Sequence, residues 1–470
     1  VTVAALVSAA AMPLPVAATA PPRHAPIAFG GCIANHGAWG CQDPLHDSLA
    51  AASGVAVSPD GASVYVAASF NFEQPSIGGN SLATFARAPG VALRQQGCLA
   101  NPSPVPGPDA SDGCEIVPQA SLHGAEQVIV SPDGRNAYVI SEGGGAGLPS
   151  AITELTRLPS GRLAPFGCIA ADTSTGCAAF PHHGAEERTT ISSIAISPDG
   201  ADVYVGASES SAEKGFGSTS ISQFARAADG ALTEVSCIAT KGAGGCAPAP
   251  EGWGFGSFAI SPDGADLYSL GTQGVEQLAI GADGALVPRG CVANGGAGQC
   301  VAGGPSFFGP SEIAVAPDGA AVYVAGHDSL SELARAPDGS LAMAGCLGNH
   351  ARGGVLIVRG CVAAKRNQIG SAGIAASPDG RIYLTSSGQV AVVGHEPGGS
   401  LVERGCIGNT GRGGRLLTPL CAKTLHPSLR GAEGVAVSPN GRSIYVASLT
   451  GLSVTWLKRP APAPARSSPR

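Results

Sequence analysis

The sequence predicts an all-β, seven-bladed β-propeller with four antiparallel strands in each blade. Three observations predict it: a hairpin motif repeated seven times, seven successive cysteine pairs, and chain ends that hold complementary fractions of one blade. The clearest copy of the motif is Ser58-Pro59-Asp60-Gly61-Ala62-Ser63-Val64-Tyr65-Val66, and it recurs from Ser131, Ser197, Ser261, Ala316, Ser377 and Ser438, with Asn for Asp in the last. Proline presets φ at the second position of a type I turn, Asp or Asn tolerates the third, and Gly takes the left-handed conformation that returns the chain. The flanks, such as Val55-Ala56-Val57 before the turn and Val64-Tyr65-Val66 after it, carry strand propensity. All seven tyrosines, from Tyr65 to Tyr445, fall at this one repeat position, which makes them packing residues rather than chemistry.

Each repeat continues through a variable loop to a third strand, as in Ser220 to Arg226, a second tight turn, Ala228-Asp229-Gly230, and a fourth strand that ends in a cysteine. Four antiparallel strands per unit make a propeller blade. At the N-terminus, Ile27 to Ala34 matches a fourth strand with no first three before it. At the other end, Val435 to Leu457 supplies three strands with no fourth. The N-terminal strand is therefore expected to complete the last blade and pair edges otherwise left open.

The fourteen cysteines fall into seven successive pairs: Cys32 with Cys41, Cys98 with Cys114, Cys168 with Cys177, Cys237 with Cys246, Cys291 with Cys300, Cys346 with Cys361, and Cys406 with Cys421. Local disulfides are expected, since no CxxC occurs and no histidine recurs at a fixed offset, so neither a metal site nor a cofactor is called for. Residues 1–20 form an apolar Ala/Val stretch ending Ala18-Thr19-Ala20, which reads as the apolar core and cleavage site of an export signal without its basic leader. Residues 21–458 form the propeller, and the Pro/Ala-rich tail 459–470 reads as a disordered linker. The expected location is thus secreted or at the cell surface, with no membrane span in the mature chain and a monomeric state. With 13% charged residues and a net charge of −7, nucleic acid is a poor partner.

The repeats, with their SPDG turn followed by Tyr-Val, a strand ending Phe-Ala-Arg and then Asp-Gly-Ala-Leu, resemble those of the YVTN and lactonase-like seven-bladed propellers over about residues 27–457. The resemblance implies the fold and keeps a lactonase-like hydrolase open as an activity. The matching motifs are scaffold motifs, so it carries over no catalytic residue.

The short, uniform turns lie on one face of such a ring. The opposite face, with the interblade loops around the central channel, is where a site is expected. Polar groups cluster just before the innermost strands: His46 and Asp47, His123 and Glu126, His182, His183, Glu186 and Glu187, Glu312, and His426, Arg430 and Glu433. His123, His183 and Glu186 are the candidate catalytic groups, a histidine acting as base for attack of water on a ring ester. The alternative is a solvated loop whose side chains cap neighbouring backbone.

Trp253, Phe307 and Phe308 are candidates for an aromatic platform, or else fill gaps between blades. Arg352, Arg412, Arg415 and Arg430 form a basic arc of loops, opposite an acidic arc carrying Asp43, Asp47, Glu115 and Glu126. The recurrent Arg87, Arg157, Arg226 and Arg335 are expected to be an exposed device of the outer strands. The leading reading is a disulfide-braced binding or interaction module for a small molecule, a glycan or a surface protein. The alternative is the lactonase-like hydrolase at the channel mouth.

Overall fold

The computed structural model describes residues 27–69, 80–87, 92–101, 113–119, 121–143, 149–171, 176–181, 188–211, 215–271, 274–296, 300–303, 307, 309–350, 358, 360–366, 369–370, 372–409 and 421–459. The expected leader and the tail from residue 460 onwards lie outside them. Among the described residues the strands form seven sheets, each beginning at a first strand that packs against the first strands of its neighbours around the channel. Blade 1 runs Ala52–Val57, Ser63–Ala68, Ser81–Arg87 and Leu93–Ala100, and blades 2 to 6 repeat the pattern from Ala125, Arg188, Phe258, Pro310 and Gly373.

Blade 7 takes Ala432–Val437, Ser443–Ser448 and Ser453–Lys458 from one end of the chain and Ala28–Ala34 from the other. Ala34 lies opposite Ser453 and Ala28 opposite Lys458, so the ring closes as the end fragments require. The closure is tightly packed. A Cβ on Gly31 would fall 2.3 Å from the Trp456 ring, so only glycine lets the N-terminal strand lie on that indole.

The cysteines are joined as expected, each first one to the next in sequence. Cys32 is bonded to Cys41, Cys98 to Cys114, Cys168 to Cys177, Cys237 to Cys246, Cys291 to Cys300, Cys346 to Cys361, and Cys406 to Cys421. Seven disulfides and no free cysteine indicate an oxidising environment. They also account for one departure from four strands per blade. After its second cysteine the chain is held beside the fourth strand and adds a two-residue parallel strand, Glu115–Ile116 after Cys114 in blade 1 and its counterparts after Cys177, Cys246, Cys300, Cys361 and Cys421 in blades 2 to 6. In blade 7 this is reduced to the single bridge between Ile33 and Gln42. Among the described residues no helix is long and apolar enough to cross a membrane.

The motif turns owe their shape to their own side chains. In blade 1 the Ser58 hydroxyl donates to Asp60 and accepts the Ser63 N–H at 2.9 Å, while Asp60 accepts the Ala62 N–H at 2.9 Å. Gly61 takes φ 68°, which favours glycine there. The tyrosines that follow are buried, none more than 4% exposed, in apolar clusters that lie between successive blades.

The recurrent arginines are a correction to the expectation. Arg157 and Arg226 sit at the end of the third strand but point into the junction with the preceding blade, with side chains only 14% and 8% exposed. Tyr65 of blade 1 donates to the Gly161 carbonyl of blade 2 at 2.8 Å. Arg157 of blade 2 answers with Nε to the Tyr65 hydroxyl at 2.8 Å and Nη2 to Asp60 at 2.8 Å. Arg226 makes the same contacts to Tyr138 and Asp133, and Arg335 to Tyr268 and Asp263. A planar guanidinium suits this forked set of acceptors where an ammonium would not.

Candidate functional site at the channel mouth

Five of the first strands open with a register shift against their second strand, at Ala52/Gly54, Ala125/Gln127, Ile191/Ser193, Pro310/Glu312 and Ala432/Val435. A bulge re-aims the side chains beside it. Here the bulged strands of blades 1, 2, 5 and 7 bring Ser53, Gly54, Gly434, Glu126, Glu312 and Glu433 to the mouth, and the start of the regular first strand of blade 6 adds Ala372 and Gly373. These line a cavity of 240 Å³ between the first strands of blades 1, 2, 5, 6 and 7.

The small residues are required by the approach of the strands. A Cβ on Gly54 would lie 2.2 Å from the carbonyl oxygen of Glu126, one on Gly434 2.2 Å from that of Ser53, and one on Gly373 2.2 Å from that of Glu433. Ser53 Oγ donates to the carbonyls of Ala125 and Glu126, both at 3.3 Å, and Thr385 Oγ1 donates to that of Glu433. Blades 6, 7, 1 and 2 are thus locked backbone to backbone, and their carboxylates are held by a rigid frame. The disulfides stand apart from it. Neither Cys114, Cys177, Cys246, Cys300, Cys361 and Cys421 nor the cysteines they are bonded to line the cavity, so the bridges brace the blades and leave the site free of sulfur.

The three carboxyls sit where ionisation is costly. Burial, with the charge of the adjacent Glu142 and of the other two glutamates, pushes Glu126 up to about 9. Burial pushes Glu312 up to about 7, although Ser257 Oγ donates to it at 3.2 Å, and burial also raises Glu433. Oε2 of Glu126 is buried with no hydrogen-bond partner among the described residues. Burial and the surrounding carboxyls thus favour the protonated form of Glu126, which lies beside the exposed Glu142. Among the described residues no group of three or more His, Cys, Asp or Glu is arranged to hold a metal ion.

Of the residues singled out by sequence, Glu126, Glu312 and Glu433 converge here from three blades. His123 does not line the cavity. It is 7% exposed in the turn before the Ala125–Val130 strand, its carbonyl accepts the Gly143 N–H at 2.9 Å, and burial lowers its pKa. His183 and Glu186 lie outside the described residues, as do Phe308, Arg352, Arg412 and Arg415.

Trp253 is half-buried, with its ring edge-on to Phe255 at 6.5 Å, and packs on the apolar cluster between blades 3 and 4. Phe307 is 4% exposed in the next cluster, with its backbone held on both sides by Asn294. Arg430 stacks its guanidinium 4.7 Å from the ring centre of Trp39, a tryptophan that is 41% exposed and that no repeat position marks. Sequence reasoning also passes over Glu276. It is 5% exposed, accepts the Gly254 N–H at 2.9 Å, and burial pushes it up to about 8. It braces the loop that carries Trp253. Its only sequence signal is a charged residue inside a third strand, Gly274–Ile280.

No protein-family model matches the sequence, and no curated protein does. Among solved structures, the periplasmic gluconolactonase of Pseudomonas aeruginosa is 16% identical, with a TM-score of 0.47 over 87% of this chain and 88% of that one. A protein from Lactobacillus plantarum is 13% identical, with a TM-score of 0.47 over 74% and 82%. The hydrazine synthase of Kuenenia stuttgartiensis is 14% identical, with a TM-score of 0.46 over 88% and 97%. The strand order itself makes the chain a seven-bladed β-propeller, and this is consistent with the lactonase-like propellers that its repeats resemble.

Proposed function

We propose that this protein is an exported binding module that takes a small, hydroxyl-rich ligand at the mouth of its central channel. The observation that carries the reading is the convergence of Glu126, Glu312 and Glu433 on one 240 Å³ cavity, whose walls are completed by small residues fixed by backbone packing and by first-strand residues such as Val55, Gln127 and Ile374. A neutral carboxyl donates one hydrogen bond and accepts others, which suits pairs of hydroxyl groups. An anionic ligand would instead meet carboxyls that already repel one another. The polar side chains that line the cavity are the three glutamates with Ser53 and Gln127, groups suited to hydroxyl recognition. Export fits the disulfide content and the apolar N-terminal stretch.

Calorimetric titration with a panel of monosaccharides, sugar alcohols and aldonolactones tests the reading. One class should bind, and Glu126→Gln together with Glu433→Gln should weaken it at least ~10-fold, about 1.4 kcal/mol. Unchanged binding in that double variant would remove the ligand from the channel. Turnover of a lactone that is lost in the same variant would make the protein the lactonase-like hydrolase instead.

A further inference from the structure

The latch that joins successive blades on the short-turn face lacks its arginine at two junctions, and at one of them nothing replaces it. The latch position at the end of the third strand is filled by Arg87, Arg157, Arg226, Arg335 and Arg459, but by Ile280 in blade 4 and His395 in blade 6. Ile280 closes its junction with apolar packing, and Tyr204 there still donates to the Gly284 carbonyl at 2.7 Å. Where the full latch forms, four acceptors surround the guanidinium. In the blade 1/2 junction they are the Tyr65 hydroxyl, Asp60 carboxylate and Ser63 hydroxyl of one blade and the Gly134 carbonyl of the next. In the blade 5/6 junction Tyr323, Asp318 and Gly380 keep three of these places without their arginine.

The space is open as well as unlatched. His395 pairs with Glu332, with Nε2 2.7 Å from Oε1, and its ring stays beside that of Tyr323 at 6.4 Å without filling the place of the guanidinium. Tyr323, Asp318, Gly380, Arg381 and His395 line a cavity of 130 Å³. At the matching glycines of other junctions a Cβ would meet the preceding blade's proline or the latch arginine, as at Gly61, Gly134, Gly200 and Gly319, whereas beside Gly380 nothing lies within 4 Å. Ala321 enlarges the gap, because the matching residues Ser63, Asn136 and Asp266 carry polar side chains that bond their latch arginines. The arginine in the wall, Arg381, lies 3.3 Å from the Asp379 carboxylate, which also pairs with Arg459.

We propose that the junction of blades 5 and 6 is a binding site for a guanidinium cation, free or carried on an arginine side chain, which takes the place of the missing latch between Tyr323, Asp318 and the Gly380 carbonyl. It lies on the face opposite the channel mouth and shares no lining residue with the cavity there. A planar cation with donors in a fork reproduces the contacts made by Arg157, Arg226 and Arg335, and the neighbouring Glu332 adds to its attraction.

The test is a titration of the intact protein with methylguanidinium, N-acetyl-arginine-amide and methylammonium at matched ionic strength, read by calorimetry and by shifts of the Tyr323 ring resonances. Methylguanidinium should bind at least ten-fold more tightly than methylammonium. Binding of the arginine amide as well assigns the site to side chains, and binding of methylguanidinium alone assigns it to small free cations. His395→Arg should fill the cavity, raise the melting temperature and reduce methylguanidinium binding at least ten-fold. Asp318→Asn should also reduce binding with the fold kept, since Asn440 already serves the same turn in blade 7. Equal affinity for methylammonium and methylguanidinium, or unchanged binding in His395→Arg, would overturn the proposal.

Discussion

Nε of Arg157 donates to the hydroxyl of Tyr65 across the boundary between blades 1 and 2 at 2.8 Å, and the same guanidinium holds Asp60 of the earlier blade. Each blade latched in this way is tied to the turn of the one before it. The contact is charge-assisted and largely buried on the arginine side, so its removal leaves a buried tyrosine hydroxyl with one partner fewer.

Arg157→Lys should therefore behave as a destabilising change rather than a conservative one, because an ammonium cannot reach Tyr65, Asp60 and Ser63 together. A loss of about 1.5–3 kcal/mol is expected from hydrogen bonds to a charged group. Acid should remove the same latch. Partial burial alone would raise Asp60, but hydrogen bonds from Ser58, Ala62 and Arg157 outweigh it and hold the carboxyl below its ordinary value. This stability is present above the unfolded pKa and is lost as pH falls through the lower folded value. Chemical denaturation of both proteins at neutral pH and in acid measures it, and the two should converge in acid.

Ring closure should depend on Gly31. A Cβ there would lie 2.3 Å from the Trp456 ring, and the residue's φ of 151° already departs from what other residues adopt. Gly31→Val should release the N-terminal strand from Ser453–Lys458 while the bridge from Cys32 to Cys41 stays intact, with a penalty of about 1–3 kcal/mol or more from overpacking. Hydrogen exchange should show amides of Ser453–Lys458 opening before those of blades 2 to 5. Uniform protection loss around the ring would mean that closure is not the weak joint.

Gly54→Ala tests whether the channel frame is as rigid as its geometry indicates. The added Cβ would stand 2.2 Å from the Glu126 carbonyl oxygen, a backbone atom that cannot swing aside. Blades 1 and 2 must then separate, which moves Glu126 away from Glu433. The expected result is a lower melting temperature together with at least a ~10-fold weaker channel ligand, since geometry there is set by that contact. An unaltered affinity would show that the carboxyls do not act as a set.

The fold is legible in the sequence because its determinants are local and repeated. The turn chemistry of Ser58, Pro59, Asp60 and Gly61 is written in adjacent residues, as is the pairing of cysteines across short loops. The channel is only half legible. Glu126, Glu312 and Glu433 stand out as carboxylates before inner strands, yet histidines such as His123 stand out equally, because charge and spacing do not show which side chains a bulge turns inwards. Bulges depend on the partner strand, which the repeat does not encode. The arginine latches are hidden for a related reason. A residue at the end of a third strand looks exposed until the next blade is placed beside it. His395 gives no signal until the other latches define what it lacks.

A proton held at Glu126 should make the fold less stable as pH rises. Burial and neighbouring carboxyls push this group from an ordinary value of 4.5 up to about 9, so the folded protein keeps a proton that the unfolded chain has already released. Across that window the folded state binds more protons than the unfolded one, and stability must fall as pH rises. Glu312 and Glu433 shift in the same direction, and Glu276 does so in blade 4. The latch aspartates Asp60 and Asp133 are held below their ordinary values and titrate in acid, outside the window. Glu126→Gln keeps the shape of the neutral carboxyl and removes its titration. The variant should match the parent at about pH 5 and melt several degrees higher at about pH 8.5, the parent's melting temperature falling more steeply between them. Scanning calorimetry at constant ionic strength measures the two slopes. Parallel slopes would mean that Glu126 is ionised in the folded protein at neutral pH, and the channel mouth would then be a site for cations rather than for hydroxyl groups.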